Sequence, residues 1–277
     1  MTLGTTLKRA AEYLGERGVE TPRLDAELLL GKALGLSRVQ LYTRFDQPLT
    51  PPELAAAREL VRRRGRREPV AYVLGEWGFR RLTLAVDSRA LIPRPETEVL
   101  VERCLVHLRE LARPRVLEVG VGSGAIALAL VDEHAGARVT AIDNSPEALA
   151  LARENRAATG LEDRVELLEQ DFAHGLPGSD WDLLVSNPPY VRPDELGSLE
   201  VEIRDWEPRG ALVGEGIHEG IAAAATAVLR AGGWLVLEVG DGQAARVAAS
   251  LRGLDYEDVT IARDLADRER VVEGRRR

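Results

Sequence analysis

Apolar positions in the first 65 residues recur at helical spacing. Leu3, Leu7, Ala10, Ala11 and Leu14 share one face of a 3.6-residue repeat, and Leu24, Leu28, Leu29 and Ala33 share another. Thr21-Pro22 and Thr50-Pro51-Pro52-Glu53 read as helix starts, with a capping residue followed by proline in the first turn. The texture then changes. Val70, Tyr72 and Leu74 alternate, as do Leu82, Leu84 and Val86, with Gly75 and Gly78 as punctuation, which predicts a small hairpin. Further along come short apolar runs bounded by turn residues: Val116–Val119, Val139–Ile142, Val165–Leu168, Leu183–Val185 and Leu235–Val239. Helical stretches fall near residues 126–133, 146–158 and 219–230. Strand and helix in alternation predict a parallel sheet covered by helices on both faces, with Val259–Ile261 and Val271-Val272 placed to close it as an antiparallel pair. The expected organisation is a helical N-terminal domain over residues 1–68, a β-hairpin linker over 69–90 and an α/β domain over 91–277, ending in a frayed tail at Arg275–Arg277.

The length of 277 residues suits two domains. Cys104 is the single cysteine, which excludes an intrachain disulfide and points to a reducing compartment. The first residues carry no apolar signal-peptide region, and no uncharged apolar run approaches the roughly 18 residues of a membrane span. A cytoplasmic globular protein with no membrane partner is expected. Residues 1–90 hold 16 Lys+Arg against 11 Asp+Glu, whereas residues 91–277 hold 21 against 34, so the chain has a basic end and an acidic body. The acidic body argues against sequence-indifferent DNA binding, which rests on neutralising phosphates. Arg58, Arg62, Arg63, Arg64, Arg66 and Arg67 crowd the end of the third helix. Such a run reads equally as a solvated face or as a patch for a partner.

Two segments carry chemistry. The first apolar run leads into Gly120-Val121-Gly122-Ser123-Gly124, where glycines permit a sharp turn and close approach of a ligand to the backbone at a helix start. Asp143 ends the next run, and an acid there can accept both hydroxyls of a ribose, of S-adenosylmethionine (SAM) or of a nicotinamide cofactor alike. The second segment, Ser186-Asn187-Pro188-Pro189-Tyr190, follows the fourth run. Asn187 offers a side-chain carbonyl and Pro188 a main-chain one in a backbone stiffened by prolines. Two converging acceptors suit a planar –NH₂ group, against which Tyr190 can pack. The four histidines are scattered without metal-ligand spacing, so no metal is expected, and Cys104 reads as a core residue.

Asn-Pro-Pro-Tyr beside Gly-x-Gly-x-Gly resembles the SAM-dependent methyltransferases of amino groups. Further segments resemble the HemK/PrmC family of protein glutamine methyltransferases: Arg67-Glu-Pro-Val-Ala-Tyr-Val-Leu-Gly75 with Phe79, Leu91-Ile-Pro-Arg-Pro-Glu-Thr-Glu98, Glu207-Pro208 with Ala211-Leu212, and Asp264–Val271. The resemblance spans nearly the whole chain. It implies a class I, Rossmann-like seven-stranded methyltransferase sheet behind a small helical substrate-recognition bundle. It also implies methyl transfer from SAM, yielding S-adenosylhomocysteine, to the Gly-Gly-Gln glutamine of class 1 peptide chain release factors. By the same resemblance, residues Gly120, Val121, Gly122, Ser123 and Gly124 hold the amino-acid part of SAM and Asp143 its ribose. Phe172 lies against the adenine, Asn187 touches cofactor and substrate, and Asn187, Pro188, Pro189 and Tyr190 hold the target amide. Arg94 and Glu96 fall near the pocket, either as part of it or as a hinge salt bridge. Val121 and Glu118 stand where threonine and aspartate are common in the family. An N6-adenine DNA methyltransferase and a glutamine methylase of a ribosomal protein share the motif and remain alternatives.

Overall fold

The helical spacing of the first segment becomes α1 (Leu3–Gly15), α2 (Pro22–Leu34), α3 (Arg38–Thr43) and α4 (Pro51–Arg64). Cap chemistry starts three of them. Thr2 accepts from the Thr5 N–H, Ser37 and Gln40 form a capping box, and the Glu53 carboxylate accepts from the Thr50 N–H at 2.7 Å. The computed structural model describes residues 1–277 and divides into two compact units, Met1–Glu76 with Leu199–Trp206, and Trp77–Ser198 with Glu207–Arg277.

The first unit packs Leu3, Leu7, Leu14, Leu29, Leu30 and Leu41 into one core. Two expectations change here. Leu24 is exposed, because α2 turns Asp25, Ala26, Leu29 and Leu30 inward instead. Residues 70–74 form a helical turn, α5 (Val70–Leu74), not a strand: it starts after Pro69, buries Ala71, Tyr72 and Val73, and stops at Gly75 in the left-handed conformation.

Two acids buried by α2 are held by ion pairs. Arg64 donates to Asp25 at 2.6 Å and to Glu202 at 2.7 Å, while Arg67 makes two bonds to Glu202. Glu202 sits on a short helix, α9 (Val201–Trp206), in the segment that joins this unit. Arg63 pairs with Glu68 and Arg62 with Glu59. The arginine run is therefore largely committed within its own unit: Arg62 is exposed but paired, and Arg58 and Arg66 are the exposed members outside these ion pairs. Glu27 accepts from Arg23, Arg38 and Tyr42. Burial pushes its carboxyl up, but the hydrogen bonds from Tyr42, Arg23 and Arg38 outweigh burial and hold it at about 2.

A lowered acid stabilises the fold above its unfolded value, near 4.5, and that contribution disappears as pH falls towards 2. We expect Glu27→Gln to lower the unfolding free energy at pH 7 by on the order of 2 kcal/mol. Near pH 2 urea titrations of the two proteins should converge; an equal deficit at both pH values would show that packing, not charge, is lost.

The second unit begins with a hairpin, β1 (Glu76–Phe79) and β2 (Leu82–Ala85), and α6 (Pro95–Leu108). Strand and helix then alternate as β3 (Arg115–Val119), α7 (Ala125–Glu133), β4 (Arg138–Asp143), α8 (Pro146–Thr159), β5 (Val165–Glu169) and β6 (Trp181–Ser186). After α10 (Arg209–Leu212) and α11 (Ile217–Val228) come β7 (Leu229–Glu238), α12 (Ala244–Gly253), β8 (Tyr256–Arg263) and β9 (Glu269–Arg276). The seven strands lie in the order β5-β4-β3-β6-β7-β9-β8, parallel except for β9, which runs antiparallel to both its neighbours. Period-2 alternation splits each strand between two cores. Val116, Val139, Leu183 and Val236 pack with Leu100, Cys104, Ile126 and Leu149 on one face. Leu117, Ile142, Leu184 and Leu235 pack with Ile221, Ala225, Val247 and Leu251 on the other.

The C-terminal arginines are not frayed. Arg275 and Arg276 extend β9, paired with Trp234 on one side and Tyr256 on the other, and Arg275 reaches Asp258 at 2.9 Å. A strand flanked on both sides gains ladder hydrogen bonds that outweigh the end-fraying tendency of a basic tail. The chain runs outward from β3 through β4 to β5, then returns to the opposite side of β3 with β6. Ligands of open α/β sheets bind at such a reversal, beyond the carboxyl ends of the strands.

Candidate active site

Strand register brings the two chemical segments together. Val119 is paired with Ile142 on one side and with Ser186 on the other, so the residues that follow, Gly120, Asp143 and Asn187, leave the sheet side by side. A side chain on Gly120 would bring its Cβ to 4.0 Å from the Asn187 carbonyl oxygen. The Ser186 hydroxyl donates to the Val119 carbonyl at 2.7 Å and ties the two strand ends.

Gly120, Gly122 and Gly124 all have positive φ, at 81°, 53° and 87°, a conformation that strains any residue with a Cβ. The N–H groups of Gly120 and Val121 donate to the Ile142 carbonyl, and that of Gly122 to Asp143 Oδ2 at 3.0 Å. The loop's donors are thus turned into the turn itself. Asp143 Oδ1 accepts from the Ser145 N–H at 2.9 Å, so one carboxylate anchors both the glycine loop and the start of α8. Burial raises the Asp143 pKa, opposed by these backbone N–H groups.

A cavity of about 520 Å³ opens over these strand ends. Roughly 300–1,000 Å³ is usual for small-molecule and cofactor sites. Its walls include Gly120, Val121, Gly122, Ser123, Asp143, Phe172, Asn187, Pro188 and Pro189. Phe172 begins a 3-10 turn (Phe172–His174) and sits so close to α11 that a Cβ on Gly220 would lie 3.2 Å from its ring.

Two expected residues lie outside the lining. Gly124 caps α7 with its left-handed backbone. Tyr190 turns its ring towards His218, 6.5 Å between centroids, and towards Gly240, where an added Cβ would lie 2.9 Å from the ring; its carbonyl accepts from Gln243 at 2.9 Å. Burial pushes its phenol up to about 12.

The segment Glu207–Gly214 braces the Asn-Pro-Pro-Tyr loop. Val191 donates to the Leu212 carbonyl, Gly214 donates to the Val191 carbonyl, and a Cβ on Gly214 would sit 2.4 Å from the Pro189 oxygen. Glu207 accepts from the Ile92 N–H and from Arg94, which itself lines the cavity, so Arg94 is both a wall and the half-buried partner of a buried acid.

The sequence alone assigned no site role to three residues. Glu118 is fully buried two positions before Gly120, and neither oxygen makes a hydrogen bond of ordinary geometry. Burial drives its carboxyl well above the ordinary range, the Ala127 N–H opposing and Asp143 adding to the effect. Thr97, from the start of α6, lines the cavity and accepts from Asn187 Nδ2 at 3.2 Å. Glu238 ends β7 and is 1 % exposed. Acids inside otherwise apolar strands were the available signal for Glu118 and Glu238.

A seven-stranded sheet with one antiparallel strand next to its edge, a glycine turn after β3 and a ligand cavity at the β3/β6 reversal define a Rossmann-like class I methyltransferase. Similarity to known proteins agrees. Residues 5–75 match the PrmC N-terminal domain and residues 96–201 the methyltransferase small domain. A release factor glutamine methyltransferase of Geobacter sulfurreducens is 44 % identical, covering 99 % of this chain and 96 % of its own. One from Deinococcus radiodurans is 41 % identical, covering 100 % and 99 %. A methyltransferase from Pyrococcus furiosus shares the fold with a TM-score of 0.50 at 18 % identity, covering 69 % of this chain and 87 % of its own. The chain belongs to the family of release factor glutamine methyltransferases.

Proposed function

We propose that this protein transfers the methyl group of SAM to the side-chain amide nitrogen (N5) of the Gly-Gly-Gln glutamine in class 1 peptide chain release factors. The observation that carries this reading is the register-enforced meeting of Asn187-Pro188 with the glycine turn and Asp143 in one cavity.

The residues present fit SAM. Asp143 stands at a strand end, where its carboxylate suits two vicinal hydroxyls. Phe172 supplies an aromatic wall for a flat base. When bound, the cofactor supplies a methyl group activated by a cationic sulfur. The protein's task is then to position and polarise the acceptor. A carboxamide nitrogen is a weak nucleophile because its lone pair is delocalised into the carbonyl. Acceptance of its two N–H groups by Asn187 Oδ1 and the Pro188 carbonyl fixes its orientation and concentrates electron density on nitrogen. With the cofactor held by the glycine turn, Asp143 and Phe172, methyl transfer would form an N–C bond at the amide nitrogen that Asn187 and Pro188 hold, the departing sulfur would keep the electron pair of the bond it loses, and the surplus proton on nitrogen would leave to water.

The helical unit at residues 1–76 is proposed to recognise the release factor, with Arg58 and Arg66 among its exposed cations. No helix is long and apolar enough to cross a membrane, and with the single buried Cys104 this supports a cytoplasmic setting.

Incubation with labelled SAM and, in separate reactions, unmethylated release factor, ribosomal protein and duplex DNA tests the substrate. Label should map to the Gly-Gly-Gln glutamine by mass spectrometry; label on DNA or on a ribosomal protein would overturn the assignment. Asp143→Ala should weaken SAM binding about 10- to 100-fold by calorimetry, the usual loss for a hydrogen bond to a charged group. Unchanged affinity would remove Asp143 from the cofactor site.

A further inference from the structure

Asn187 can serve as an acceptor only if its amide points the right way round. An amide has nearly the same shape in both orientations, so something must distinguish oxygen from nitrogen. Asn187 Nδ2 donates to Thr97 Oγ1 at 3.2 Å, which leaves Oδ1 for the cavity that both residues line. A hydroxyl alone cannot enforce this, because it can donate or accept. The second observation lies behind it. Ser186 on β6 is in register with Leu237 on β7, so Asn187 and Glu238 follow as neighbours. Glu238 is 1 % exposed with its Oε2 lacking a hydrogen-bond partner, Thr97 is 4 % exposed, and the Thr97 and Asn187 side chains both oppose the burial-driven rise of the Glu238 pKa, as donors close to its carboxylate do.

We propose that Thr97 and Glu238 are positioning residues that lock the Asn187 amide with nitrogen inward and oxygen towards the target glutamine. The proposal rests on the assignment of Asn187 to the acceptor amide. Its logic is the direction of the hydrogen bonds. An ionised carboxylate only accepts, so Thr97 must give it the hydroxyl proton. The Thr97 oxygen is then left only with lone pairs, and only the NH₂ side of Asn187 can face it. Protonated Glu238 reverses the chain: it can donate to Thr97, whose proton can then turn to Asn187 Oδ1 and admit the flipped, unproductive amide.

The neighbours of Glu238 favour a switch in the working range. Burial raises its pKa to about 7, with Glu96 of α6 adding to the rise, while Thr97, Asn187 and Arg270 of β9 oppose it. Tyr190 is near enough to feel its charge. His218 of α11 contacts the Glu238 main-chain carbonyl at 2.8 Å and is kept neutral by burial. Because the ionised form is productive, kcat at saturating SAM and release factor should fall as pH drops through about 7.

The test measures kcat, KM and the pH profile of the full-length protein on purified unmethylated release factor, with SAM affinity and melting temperature as checks on folding. Thr97→Val should lower kcat about 10- to 100-fold, the scale of a misplaced catalytic group, with SAM affinity unchanged, and Thr97→Ser should restore it. Glu238→Gln should lower kcat and abolish the acid limb near pH 7. Wild-type kcat in Thr97→Val, or an intact acid limb in Glu238→Gln, overturns the proposal. Asn187→Ala in the same assay separates the two readings. If it is inactive while the Thr97 and Glu238 variants behave as wild type, only the positioning role fails. If it turns over normally, the assignment of Asn187 itself fails.

Discussion

Asn187→Ala is expected to lower methyl transfer to release factor by about 10²- to 10³-fold while SAM affinity changes by no more than a few-fold. The magnitude follows from what is removed. One preorganised hydrogen-bonding group aimed at developing charge typically accounts for a factor of that size. Here the lost carbonyl also leaves the Pro188 oxygen to orient a rotating amide alone. The structure separates the two readouts. Gly120, Asp143 and the β3/β6 seam are held by Ile142, Ser145 and Ser186, none of which depends on the Asn187 side chain. The cavity wall that would face the cofactor therefore persists in the variant. Single-turnover methylation and SAM titration on the same preparation check this. A loss confined to SAM affinity would move Asn187 from substrate to cofactor recognition.

The elements that converge on this site were legible because each is local. The glycine turn, the strand-end acid and the Asn-Pro-Pro-Tyr loop each announce themselves within a few residues, and the alternation of apolar runs predicts the sheet that aligns them. What was not legible depends on partners distant in the chain. Thr97 lay within a family-like segment, but nothing local indicates that its hydroxyl meets Asn187, 90 residues on. Arg94 could be read as a wall or a hinge; Glu207, 113 residues away, makes it both. The misreading at Val70–Leu74 has a different cause. Three alternating apolar residues fit a strand, but positions 70 and 74 are also one helical turn apart, and the flanking Pro69 and Gly75 suit helix ends.

Arg64→Ala is expected to destabilise the helical unit by about 3–5 kcal/mol, the largest stability effect we anticipate from one surface-type residue in this chain. The arginine run gives no hint of this, since six cations in ten residues look interchangeable. Their surroundings are not. The Arg64 side chain is 7 % exposed and bridges Asp25, 3 % exposed, to Glu202, 12 % exposed. Removing it leaves Asp25 as a buried charge whose remaining side-chain donor is the Thr21 hydroxyl. Glu202 keeps both bonds to Arg67, so the deficit falls mainly on Asp25. Arg62, paired with Glu59 at the surface with both side chains more than half exposed, should change stability by less than about 1 kcal/mol when replaced by alanine. Urea unfolding of the two variants makes the comparison directly. If the stranded charge is the cause, adding Asp25→Asn to Arg64→Ala should recover part of the loss, because a neutral amide is less costly to bury than a carboxylate. An equally large loss in Arg62→Ala would instead mean that helix propensity or overall charge, not the buried pair, sets the stability of this unit.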